Sequence, residues 1–138
     1  MIHSSVKFWH KHLSNISDQA DIGEGTVIHA GVHIHDQVKI GKNCKIEAGA
    51  LLFNGVEIGD DVFIGPGVTF TNDRNLTEPF KIIKTKIRNG AKIGANSTII
   101  AGVTLGEGCL IGAGSILTHD VGSGEVWYGN PARYVRHL

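Results

Sequence analysis

An aliphatic or aromatic residue stands at every sixth position from Ile16 to Phe70: Ile16, Ile22, Ile28, Ile34, Ile40, Ile46, Leu52, Ile58, Ile64 and Phe70. Two residues before each lies a mostly small or β-branched side chain, among them Ala20, Thr26, Val32, Cys44, Ala50 and Val62. A helix requires apolar spacings of three and four, and a half-buried strand alternates by two, so a period of six fits neither. It predicts a repeat in which a short extended segment carries one large and one small inward side chain and then turns a corner. Three such units close a triangular coil of eighteen residues. Glycine follows the large residue in many units, as at Gly23, Gly41, Gly59, Gly65, Gly94, Gly106 and Gly112, which suits a corner that needs either positive φ or close approach to the next coil. One coil cannot bury its own apolar side, so stacking supplies the core. Residues eighteen apart then share an edge: Asp36 with Asn54 and Asn72, His35 with Phe53 and Thr71, and His29 with Glu47 and Gly65.

The period breaks after Phe70 and resumes at Ile87, Ile93, Ile99, Leu105, Ile111 and Leu117. An unbroken repeat would place the next large residue at position 76, so eleven residues are inserted. The polar stretch 71–84, with Pro79 inside it, reads as a loop leaving the coil. Stacking does not require such a loop, which makes it a candidate for function. The whole chain, 1–138, is expected to be one domain. It divides into an N-terminal cap over 1–13, with Phe8 and Trp9 covering the open end, coils over 14–70 and 85–121, and a short tail over 122–138 that Gly129 to Ala132 turn back over the last coil.

Thirteen basic and thirteen acidic residues cancel, so no bulk attraction to nucleic acid or an anionic membrane is expected. Cys44 and Cys109 fall on small inward positions and are expected to be buried free thiols rather than a disulfide or metal ligands, which suggests a reducing compartment. No basic start followed by an apolar run opens the chain, and no apolar stretch is long enough to cross a bilayer, so the expected location is cytoplasmic.

Two stretches narrow the reading: Gly55 to Asp73, GVEIGDDVFIGPGVTFTND, and Gly112 to Arg136, with its GAGSILTHDV and YGNPARYVR segments. Together with the coils they resemble the nucleotide-sugar N-acyltransferases of the hexapeptide-repeat family. The resemblance implies an all-β fold, a left-handed parallel β-helix. It also implies acetyl-CoA as acyl donor, no metal, and a nucleotide-linked 3-amino sugar as acceptor in surface polysaccharide or lipopolysaccharide biosynthesis. Family members are homotrimers in which acetyl-CoA lies along the groove between two β-helices. The chain departs from the pattern after Asn72-Asp73, where Arg74 is followed by Asn75, Leu76 and Thr77 instead of an aromatic residue and a Pro-Arg pair, and His119 replaces a lysine before Asp120.

Acyl transfer from a thioester to an amine needs a neutral amine aimed at the carbonyl carbon, stabilisation of an oxyanion and a route for a proton; the leaving thiolate is itself a modest base. Asn72 is expected to accept a hydrogen bond from the amine and so point its lone pair, with Asp73 placing the loop or the amine. Asn54 and Arg74 are expected at the acceptor, Arg74 on a sugar or phosphate oxygen, and His33 and His35 near the same edge as auxiliary groups. Sugar O-acetyltransferases of this fold place a histidine three residues after the corner threonine; here Thr71 is followed three on by Arg74, so the pattern leans to nitrogen. By the family's motif positions, Ala95, Ala113 and Thr118 line the pantetheine arm, and His119 and Arg133 meet the nucleotide end of CoA. O-acetylation of a sugar hydroxyl and a non-catalytic trimeric binding module remain open at this point. A γ-type carbonic anhydrase is disfavoured, since two coils beyond His29, His33 and His35 stand Gly65, Thr69 and Thr71.

Overall fold

The computed structural model describes residues 1–76 and 79–138; Thr77 of the loop lies outside them. The chain winds as a left-handed parallel β-helix with three flat faces, an all-β prism whose strands are mostly two residues long. In every two-residue strand from Val27–Ile28 to Ile116–Leu117 the second residue points inward and the first outward. Ile28, Ile46, Ile64, Leu52 and Phe70 are fully buried, and the small residues Ala20, Val32, Cys44 and Ala50 fill the corners between them. The six-residue period is therefore one outward and two inward side chains per face.

The three faces differ in what they present outward. An eight-stranded sheet carries Lys7, Val27, Lys45, Phe63, Lys92 and Leu110, and is here the lysine face. A five-stranded sheet carries Asp21, Lys39, Glu57, Lys86 and Thr104, the charged face. A six-stranded sheet carries Asn15, His33, Leu51, Thr69, Thr98 and Ile116, with no lysine, arginine or carboxylate, and is the neutral face. The chain runs from lysine face to neutral face across a first edge (residues 29–32, 47–50, 65–68, 94–97 and 112–115), and from neutral to charged face across a second (35–38, 53–55, 71–84, 100–103 and 118–121).

Register pins the size of the insertion. Thr69 and Phe70 pair backward with Leu51 and Leu52, eighteen residues away, and forward with Thr98 and Ile99, twenty-nine away. The difference is the eleven residues counted in the sequence, so the loop leaves and re-enters without shifting the stack.

The corner glycines resolve into one of their two expected roles. Gly65 and Gly94 do not adopt positive φ; a Cβ on Gly65 would stand 2.7 Å from Ala95 N, and one on Gly94 2.5 Å from Ala113 N. Close approach of successive coils is the reason. The left-handed conformation falls two residues later, at Gly67 and its equivalents, and Gln37, Asn43, Asp61 and Asn96 also adopt it.

Both ends depart from the plain repeat. Lys7–Phe8 already pairs with Val27–Ile28, so the cap segment contributes a rung of its own. Phe8 packs against the core as expected, whereas Trp9 does not cap it: its ring is 45% exposed. Adjacent residues of a strand face opposite sides, so both cannot point inward. The tail forms two strands, Glu125–Gly129, parallel to the last rung of the lysine face, and Ala132–His137, antiparallel to it after the turn through Asn130-Pro131. Cys44 and Cys109 are buried free thiols, and burial pushes the Cys109 thiol up to about 11. Among the described residues no helix is long and apolar enough to cross a membrane.

Candidate functional site

The inserted loop is pinched at its neck. Ile83 N–H donates to Asn72 O at 3.0 Å, Thr85 N–H donates to Gly55 O at 2.9 Å, and Thr71 Oγ1 accepts Ala101 N–H at 2.9 Å. Asn72 thus stands where the chain leaves the second edge, directly over Asn54 of the coil before. Its Nδ2 donates to Asn54 Oδ1 at 2.7 Å. That single bond orients the carboxamide and leaves Asn72 Oδ1 as an acceptor with no hydrogen-bond partner among the described residues. Two of the residues expected at the site, Asn72 and Asn54, are therefore in contact.

Asp73 and Arg74 turn inward to the protein. Asp73 is buried, and its Oδ1 accepts Asn75 N–H at 3.0 Å, an Asx turn that shapes the start of the loop. The Arg74 guanidinium donates to Ala101 O at 3.0 Å and Thr118 O at 2.8 Å, tying the loop to the next two coils along the second edge. Sequence reasoning placed Arg74 on a sugar or phosphate oxygen; within one chain its donors face carbonyls. Arg74→Ala is expected to loosen the loop by about 1–2 kcal/mol, read as roughly ten-fold faster tryptic cleavage at Lys81. Arg74→Lys is expected to recover little of it, because an ammonium cannot span both carbonyls.

His33 and His35 lie lower on the same side. His35 sits one coil below Phe53 and two below Thr71, about 10 Å from the Asn72 level at 4.8 Å per rung. Its ring centroid is 4.5 Å from that of His33 and 4.6 Å from that of Phe53. Burial, then the neighbouring His33 charge, lowers the pKa of the His35 imidazole. The pair forms an aromatic wall beside Asn54 rather than a base within reach of Asn72.

The residues expected at the cofactor separate into three places. Ala95 and Ala113 lie on the first edge, where the glycines demanded by stacking leave a bare backbone track with Tyr128 closing its far end; the Tyr128 side chain lies where a Cβ on Gly112 would go. A shallow groove of about 280 Å³ flanks this track, lined by Phe63, Lys92, Gly94, Leu110 and Ala113. Thr118 and His119 lie on the second edge, joined by a 2.9 Å contact between Thr118 Oγ1 and His119 Nδ1. Arg133 is exposed on the terminal hairpin. One face, at most about 20 Å for six extended residues, separates the two edges. No single chain brings the residues of the first edge to Asn72.

The family model of the bacterial transferase hexapeptide, with six repeats, matches residues 20–54 and 84–119, just over half of the chain and on both sides of the loop. The chain belongs to the bacterial hexapeptide transferases. Among curated proteins none matches its sequence. Solved structures similar to this hexapeptide transferase include a mutant perosamine N-acetyltransferase from Caulobacter crescentus in complex with CoA and GDP-perosamine, at 25% identity and a TM-score of 0.77 over 98% of this chain and 55% of that one. A hexapeptide transferase family protein from Anaplasma phagocytophilum matches at 24% identity and a TM-score of 0.85, covering 99% and 78%. A mutant of AntD, an N-acyltransferase from Bacillus cereus, in complex with dTDP and coenzyme A, matches at 21% identity and a TM-score of 0.78, covering 99% and 79%. This hexapeptide transferase spans about half the length of the perosamine enzyme.

Sequence reasoning passed over one group on the first edge. His29 Nε2 is 3.5 Å from Glu47 Oε2, and the Trp9 ring stacks on His29 at 6.4 Å between centroids. The stacking of His29 and Glu47 was legible from their spacing of eighteen residues; the place of Trp9 was not, because it belongs to a rung that precedes the regular period.

Proposed function

We propose that the protein transfers an acetyl group from acetyl-CoA to the amino group of a nucleotide-linked sugar, a step in building surface polysaccharide, and that it works as a cytoplasmic homotrimer. The observation that carries this reading is the Asn72 carboxamide, fixed by Asn54 at the neck of the loop with its oxygen unpartnered among the described residues. The oxygen accepts an N–H of the amine, which aims the nitrogen lone pair at the thioester carbonyl. A hydroxyl acceptor requires a base at this position, and a carboxamide is not one. The CoA-bound and nucleotide-bound structures of similar fold support the substrate classes.

The neutral face supports the assembly. It is bounded by the first and second edges, and it lacks the charges that line the other two faces. Three copies turning this face to a common axis bring the second edge of each beside the first edge of the next. Asn72 of one copy then faces the Ala95–Ala113 track of its neighbour, with Thr118, His119 and Arg133 around the donor. Asp73 and Arg74 hold the loop in shape, and Asn54, His33 and His35 form the acceptor wall.

Thiol release from acetyl-CoA, assayed with amino sugars linked to GDP, UDP and dTDP, is expected to show turnover with at least one acceptor, in a protein that sediments as a trimer. No release with any of them, or a monomer at micromolar concentration, overturns the proposal.

A further inference from the structure

A sugar linked to a nucleotide carries a diphosphate beside its ring, and those anionic oxygens need cations near the amine that Asn72 receives. Arg74, expected to meet them, directs its donors at the Ala101 and Thr118 carbonyls instead. On the charged-face side of the second edge, beside Asn54, lies a recess of about 350 Å³ lined by Lys39, Glu57 and Lys84 together with Gln37, Asn54 and Gly55. We propose that this recess binds the diphosphate of the nucleotide-linked acceptor, with the Lys39 and Lys84 ammonium groups on the phosphate oxygens. The inference deepens the acyltransferase reading and rests on it.

The neck of the loop fixes Lys84. The residue before it donates from Ile83 N–H to Asn72 O at 3.0 Å, and the residue after it donates from Thr85 N–H to Gly55 O at 2.9 Å. Its backbone is therefore tied to Asn72 on one side and to the floor of the recess on the other. That floor is bare: Gly55 has a φ of 95°, and a Cβ there would stand 2.9 Å from Ile82 Cγ2. Lys39 stands on the charged face one coil, about 5 Å, below Glu57, its partner in register.

The charged groups of the recess are thus two ammonium groups and one carboxylate, which leaves a positive balance. Lys84 Nζ lies 3.4 Å from Glu57 Oε1, but the Lys84 side chain is 70% exposed, so this is a screened surface pair that a phosphate displaces readily. A lysine binds phosphate as a point charge and imposes no fixed orientation on it. The other side of the same edge is unsuited. The recess there, toward the neutral face, is lined by His33, His35 and Asp36, which bring a carboxylate and, among the described residues, no lysine or arginine. With the neutral face turned to the axis of the proposed trimer, the charged face and its recess stay open to a ligand arriving from outside.

The test titrates the full chain calorimetrically with GDP, UDP and dTDP, with the corresponding monophosphates and with inorganic pyrophosphate. Steady-state kinetics follow with whichever sugar of the GDP, UDP and dTDP panel is turned over. Lys39→Gln and Lys84→Gln are each expected to weaken nucleoside diphosphate binding about ten-fold, and the double variant about 100-fold, with KM for the sugar raised in step and kcat and melting temperature nearly unchanged. Glu57→Gln, which removes the carboxylate, is expected to tighten binding about three-fold. Lys86→Gln, one coil above Glu57 on the same face and outside the recess, is expected to leave it unchanged. Pyrophosphate is expected to compete with the diphosphates, and the monophosphates to bind about ten-fold more weakly.

Diphosphate affinity that survives in the double variant, an equal loss in Lys86→Gln, monophosphates that bind as well as diphosphates, or a fall in kcat at constant KM overturns the inference, while turnover of a sugar leaves the acyltransferase reading standing. Binding that the lysine variants abolish, in a wild-type protein silent with every sugar, overturns that reading and leaves the anion site. Neither binding nor turnover overturns both.

Discussion

Replacing Asn72 with alanine is expected to lower amine acylation by about 100- to 1,000-fold in kcat while leaving the melting temperature nearly unchanged. The magnitude is that of removing one preorganised hydrogen-bonding group from the reacting centre. The near-neutral effect on stability follows from the partner: the lost bond, 2.7 Å from Asn72 Nδ2 to Asn54 Oδ1, lies at a half-buried edge where water replaces it. Asn54→Ala, which leaves the Asn72 amide free to turn, is expected to cost about ten-fold. Asn72→Asp separates orientation from charge. The carboxylate still accepts an N–H, but it no longer donates to Asn54, and its charge holds the acceptor as the ammonium. A kcat for Asn72→Ala within three-fold of wild type removes Asn72 from the chemistry.

The second large effect concerns the core. Phe70→Ala is expected to destabilise the fold by about 3–5 kcal/mol, measured as a fall in denaturation midpoint at constant slope. Phe70 is fully buried and is the largest side chain of the interior. It is also the last inward residue before the loop, hydrogen-bonded into rungs on both sides through its strand. A cavity there sits between coils whose register is fixed by strand pairing on both sides, so the stack has little means of closing over it. Phe70→Leu, which keeps most of the volume, is expected to cost under about 1.5 kcal/mol.

The interior was legible because a prism repeats one instruction. Ile28, Ile46, Ile64, Ile93 and Ile111 obey the same period and all lie inside, and the gap of eleven residues in that period reappears as the jump in pairing between Phe70 and Ile99. Where a residue has no coil beneath it the rule loses its force, as Trp9 shows by lying half in solvent beside the partly buried Phe8. The tail escapes the period for a different reason: Glu125–Gly129 and Ala132–His137 pair with each other in antiparallel fashion, which alternates by two. Site residues were legible by position but not by direction. Spacing put Arg74 on the right edge, yet only the packed loop shows its donors directed at Ala101 and Thr118 carbonyls. Spacing also stacked His29 on Glu47 without revealing their 3.5 Å contact or the Trp9 ring stacked on the imidazole.

A segment that departs and returns at one corner is cheap to lengthen: doubling such an excursion costs only about 0.6 kcal/mol in chain entropy. Beyond Arg74, whose bonds to Ala101 and Thr118 anchor it, the stretch up to Ile82 is expected to accept foreign sequence while the rungs on either side keep their partners. On the function proposed above, recognition of an acceptor is free to drift there without any repacking, which makes this corner a natural port for grafting new specificities.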